Sequence, residues 1–138
     1  MTIELSSLHW LAILLAFIPY FFLGALWFTL LFKKQYLKSL GKENVPEQKP
    51  APIFIIGPAI CTLVITICSA VLLHALDVQT YEGALAFALT IGVGYLVANT
   101  VNIAINPNIP RPLLYGMVTG SYHLVGIVIA CTILHAMR

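Results

Sequence analysis

His123 is the side chain in this sequence best placed for chemistry, because an imidazole changes charge near neutral pH and this one falls deep inside a long apolar stretch. Counting about 1.5 Å per residue from the ends of the apolar stretches puts Tyr95 at the same level, with Trp27 and Asn99 one layer nearer the lysine-bearing ends. With Asn102 and Tyr122 they form one set: Trp27, Tyr95, Asn99, Asn102, Tyr122 and His123. Two kinds of chemistry suit these residue types. One is a small-molecule pocket or a step of a proton path, in which the imidazole exchanges protons and the amides and phenols offer hydrogen bonds. The other is a structural clasp, with a neutral His123 bonded to Tyr95 or an asparagine and each bond worth about 0.6 kcal/mol in a bilayer. Either way, Asn99 and His123 are expected to be energetically coupled through the interior.

The spacing that would aim these side chains inward belongs to the third apolar stretch. Gly92, Tyr95, Asn99, Asn102 and Asn106 recur at steps of three and four, which makes one narrow polar stripe on a helix. Polar side chains turn away from lipid, so the stripe is expected to face the other stretches. Tyr20, Gly24, Trp27 and Leu31 make a similar line in the first stretch, where Pro19 should add a kink. Gly116 and Gly120, spaced by four, mark the last stretch as close-packing, with Gly126 on the adjacent line. The expected helix-packing positions are therefore Gly24, Gly92, Gly116, Gly120 and Gly126. The last three also suggest a surface for self-association.

The elements that hold these residues are set by composition. With 60% hydrophobic residues, 9% charged residues and a mean hydropathy of +0.96, the 138-residue chain departs from soluble domains, which are about 25% charged. Residues 8–32, 53–76, 81–105 and 113–137 are each long enough to cross a hydrocarbon core. The first is too long for a signal-peptide core and is followed by lysines, so it reads as a retained span. Little chain remains outside the four, which predicts one all-α domain over residues 1–138, an integral membrane bundle of four transmembrane helices. Lys33, Lys34, Lys38, Lys42 and Lys49 lie between the first two spans and Arg111 lies between the last two. The positive-inside rule then puts both loops in the cytoplasm and both termini outside, in a multi-pass cytoplasmic-membrane topology, with Arg138 dissenting. These lysines lack interleaved aromatics, so they suit anionic lipid headgroups and no nucleic-acid partner is expected.

At the outer face this topology gathers Glu4, His9, His74, Asp77, Glu82 and His135. Imidazoles and carboxylates are zinc-ligand types, but His9, His74 and His135 offer no i, i+4 pair on one helix, so no metal or other cofactor is expected. Cys61, Cys68 and Cys131 lie within spans and read as small buried apolar residues; the first two are about 10 Å apart along a helix, too far to bridge. Thr62, Thr66 and Ser69 should return hydrogen bonds to their own helix. No nucleophile has a neighbouring base, and no Gly-x-Ser-x-Gly, His-Glu-x-x-His or phosphate-binding glycine loop occurs. Apart from Glu82 at the outer end of the third, no span carries a carboxylate, unlike the proton-coupled exporters of the small multidrug resistance family, which use a membrane-buried glutamate.

The run Gly24-Ala25-Leu26-Trp27-Phe28, then Leu31-Phe32-Lys33-Lys34-Gln35-Tyr36, resembles the opening motif of domain-of-unknown-function family 1761. Gly83-Ala84, Arg111-Pro112 and Gly120-Ser121-Tyr122-His123-Leu124-Val125 extend the resemblance over nearly the whole chain. Phe28 stands where that family often has tyrosine, and Lys33 where glycine is common. The resemblance implies a four-span bacterial-type membrane protein and supplies no activity. Three functional readings fit these residues. The first is a small-molecule binding or permeation module with its site in the inner half of the bundle; the second is an accessory membrane protein acting by self-association; the third, ranked last, is an intramembrane enzyme using His123. The partners they imply are the lipid bilayer, a small-molecule ligand and further copies of the chain.

Overall fold

The structure, a computed structural model, describes residues 8–46 and 49–137; Glu4 and Arg138 lie outside the described residues. Every regular element described is helical. Helix α1 (Trp10–Leu26) continues into a π-helical turn, Trp27–Leu31, and then comes the short α2 (Lys33–Ser39). Helix α3 covers Ile53–Ala75. The third span consists of α4 (Tyr81–Ile91), a π-helical segment Gly92–Val97 and α5 (Ala98–Ala104), and α6 covers Pro112–Ala136. Among the described residues, four helices are long and apolar enough to cross a membrane: Trp10–Leu31, Ile53–Ala75, Tyr81–Ala104 and Pro112–Ala136. Each lies within a few residues of the range predicted from hydropathy.

Local chemistry sets the boundaries. Thr80 caps α4 by accepting the Gly83 N–H at 3.0 Å, and Glu82 in the first turn suits the helix dipole. Pro112 opens α6, where its missing N–H costs nothing. Helix α2 stops on Gly41 at φ 66°, with Lys42 N–H donating to the Leu37 carbonyl at 2.9 Å and Gly41 N–H to that of Lys38 at 3.2 Å. The same stop ends α3 on Asp77 at φ 50°, where Val78 and Asp77 donate to the Leu73 and His74 carbonyls, both at 3.1 Å. A side chain at that left-handed position costs about 1 kcal/mol.

Helix α6 is the centre of the molecule: α1, α3 and the third span all lie against it, and α1 and α3 also pack on each other. Half of its most apolar window is buried, against 17–22% in the other spans. Glycines make the approach possible. The Tyr20 ring of α1 lies on Gly126 of α6, where a Cβ would come within 2.0 Å of it, and the Tyr122 ring of α6 lies on Gly24 of α1, 3.1 Å from a Cβ there. Each antiparallel helix thus seats a ring in the other's notch. The third span does the same with aliphatic side chains, Val97 on Gly120 and Val101 on Gly116, while Leu124 of α6 fills the notch at Gly92. Gly116, Gly120 and Gly126 are therefore covered within the chain, which removes them as a surface for self-association.

The polar stripe of the third span does not face inward. The inward line runs through Ala84, Ala88, Gly92, Val97, Val101 and Ala104, advancing by four to Gly92, by five to Val97, and then by four and three. The π-helical segment supplies the additional residue and turns the remainder of the span by about 100° relative to a regular α-helix. Gly92 stays inside, while Tyr95, Asn99 and Asn102 emerge on the opposite, exposed face. In α3 the inward line is Thr62, Thr66, Ser69 and Leu73, and the three hydroxyls donate to the Pro58, Thr62 and Ile65 carbonyls at 2.7–2.9 Å. Cys131 is buried, but Cys61 and Cys68 lie on the exposed side of α3, contrary to the expectation of burial.

Candidate functional site

Helices α1 and α6 bring Tyr20, Trp27, Tyr122 and His123 into one cluster. The fully buried Tyr20 places its Oη 3.0 Å from His123 Nδ1 and 3.4 Å from the His123 carbonyl. The Trp27 indole N–H donates to the Val118 carbonyl at 2.9 Å across the helix pair, and the Ser121 hydroxyl donates to the same oxygen at 3.2 Å. The Tyr122 ring lies 5.6 Å from Tyr20, 4.7 Å from His123 and 5.2 Å from Phe28. Side chains and glycine notches fill this space. Of the six residues predicted to cluster, the structure joins Trp27, Tyr122 and His123 and separates Tyr95, Asn99 and Asn102, which face outward. The partner of His123 is Tyr20, not Tyr95 or an asparagine. Tyr20 shares the line of Gly24 and Trp27 in the sequence, and that line was the signal for it.

Toward the lysine-bearing end the aromatic series continues. Phe28 meets Tyr36 at 4.8 Å and Tyr36 meets Tyr115 at 5.9 Å. Burial and then the Tyr115 phenol push the Tyr36 hydroxyl above its ordinary range, which keeps it neutral. Arg111 ties the two connectors together: its N–H donates to the Ser39 carbonyl at 3.2 Å, and its guanidinium reaches the Lys38 carbonyl at 3.0 Å and the Glu43 carboxylate at 2.7 Å. That ion pair is solvent-exposed and worth about 0–1 kcal/mol.

The opposite end contains a cavity of about 600 Å³ between α1, α3 and α6. Leu8, Ala12, Ala70, Leu73, Leu134 and Met137 form its apolar lining, and His9, His74, Asp77 and Gln79 supply its polar groups. His9 Nδ1 lies 2.8 Å from the Met137 carbonyl, which joins the start of α1 to the end of α6, and the Gln79 amide donates to Asp77 Oδ1. His135 is not part of that lining and lies edge-on to Tyr81, ring centroids 4.4 Å apart. Among the described residues no three His, Cys, Asp or Glu side chains are grouped so as to hold a metal ion.

Three apolar spans packed on a fourth, α6, with an aromatic–imidazole clasp across α1 and α6, define the class: a small helical protein of the membrane-spanning type. The chain belongs to the family described as Protein of unknown function (DUF1761), whose profile matches residues 11–135. No curated protein and no solved structure matches it.

Proposed function

We propose that the protein is a small-molecule binding module of the membrane, and that its site is the cavity at the end where α1 begins and α6 ends. The inner-half cluster, with its space taken by rings, serves as the clasp that holds α1 to α6. The observation that carries this reading is the cavity, whose volume of about 600 Å³ falls within the 300–1,000 Å³ of ordinary ligand sites. Its chemistry suits an amphipathic amine. The apolar body would lie along Ala12, Ala70, Leu73 and Leu134, and the ammonium head would meet the Asp77 carboxylate, with His9, His74 and Gln79 as further polar contacts. By the positive-inside rule this mouth opens to the outside.

Two variants test the reading in lipid nanodiscs with decylammonium as the probe. Asp77→Gly removes the carboxylate while keeping a residue suited to φ 50°, so the turn survives. Ala12→Phe fills the floor. A ligand at a hundred times its Kd stabilises by about 2.7 kcal/mol, a thermal shift of several degrees. Decylammonium is expected to raise the Tm of the parent protein and of neither variant, and decyl sulfate to raise none. Equal shifts in parent and variants would refute the site.

A further inference from the structure

The third span presents Tyr95, Asn99 and Asn102 on the face opposite its contact with α6. Asn102 lies about 3 Å, Asn99 about 8 Å and Tyr95 about 14 Å from the Ala104 end of the span, counted along the helix. Among the described residues none of the three side chains has a hydrogen-bond partner. Hydrocarbon offers none either, so Asn99 and Tyr95 at these depths stay unsatisfied until another surface supplies a partner, whereas Asn102 also lies close to the headgroup region. The other spans of this chain do not cover the face, since the third span's substantial contacts with them are with α6.

We propose that this stripe is the docking face for a second copy of the chain, with the two third spans side by side, in parallel, about a two-fold axis along the membrane normal. Self-complementarity selects that occupant. A carboxamide carries both donors and an acceptor, so one asparagine satisfies an identical one across a two-fold axis, and parallel copies bring Asn99 to Asn99 and Asn102 to Asn102 at equal depth. Paired asparagines of this kind fix the register of coiled coils. Gly94 and Ala98 flank the stripe on the exposed surface, and a Cβ built at Gly94 meets nothing within 4 Å, so the backbones can approach closely. The π-helical segment is what makes the face available: without its additional residue the amides would turn toward the rest of the chain and α6 would lose Val97 and Val101 from its glycine notches. This interface lies on a different helix from the cavity and does not depend on it.

Fluorescently labelled full-length protein in liposomes, counted by single-molecule photobleaching over a range of protein-to-lipid ratios, tests the proposal. The parent protein is expected to be dimeric. A polar contact between helices in a bilayer is worth about threefold in association, so the Asn99→Leu/Asn102→Leu double variant should dissociate at roughly tenfold higher density. In a background whose three cysteines are alanine, Asn99→Cys is expected to form an intermolecular disulfide on mild oxidation, and the inward Val97→Cys is not. A parent protein that is monomeric at every density overturns the proposal and leaves the face to lipid headgroups or a different protein. A dimer unaffected by the double substitution, or one linked through position 97 and not 99, overturns it equally.

Discussion

Tyr20 combines two roles that single substitutions can separate. Its ring fills the notch at Gly126 and its hydroxyl holds His123, 3.0 Å from Nδ1. Tyr20→Phe keeps the first and removes the second, so unfolding in detergent is expected to show a loss of about 0.5–1.5 kcal/mol. Adding His123→Leu should then cost less than it does in the parent protein, because its bond to Tyr20 is already gone. By contrast, Asn99→Leu and His123→Leu are expected to be additive within about 0.5 kcal/mol, since Asn99 faces outward and His123 faces α1. Coupling between those two above that value would mean that the amide turns inward. At this scale the sequence revealed that His123, Tyr122 and Trp27 belong together. It did not reveal the partner of His123, because several phenols lie at similar depth and only the pairing of α1 with α6 decides among them.

Among the elements, the third span shows how far periodicity can be read. Its apolar length was legible. Its orientation was not, because a stripe at steps of three and four presumes 3.6 residues per turn, and one π-helical segment moves every later side chain. The glycine spacing of α6 survived because that helix is regular over Pro112–Ala136. Glycine substitutions separate packed positions from open ones. Gly126→Ala puts a methyl into the Tyr20 ring and is expected to cost about 1–3 kcal/mol, with α1 displaced. Gly57→Ala, where a Cβ meets nothing within 4 Å, is expected to be neutral or to stabilise by up to about 1 kcal/mol through helix propensity. Denaturant titration of the two variants in the same detergent checks both. A harmless Gly126→Ala would contradict the ring-in-notch contact.

For the whole molecule, composition alone supplied the four helices, because segments this apolar have few soluble alternatives. The loops that carry six of the seven basic residues belong to one end, so Val45→Cys, at an exposed position of the first connector, is expected to react with an impermeant maleimide only from the cytoplasmic side. Labelling in intact cells would invert the topology. Which spans touch was not legible, since hydropathy does not encode neighbours, and the central place of α6 emerged from its glycines meeting Tyr20, Val97 and Val101. That centrality has a consequence for biosynthesis. The chain leaves the ribosome N-terminus first at about 5–20 residues per second, so α6 is made after the other three spans. Until it arrives, α1 and α3 have each other, but the third span lacks its principal protein surface and carries exposed amides in the bilayer. Assembly of these four spans therefore waits on α6, and during that wait the nascent chain exposes the polar face that a neighbouring copy could meet.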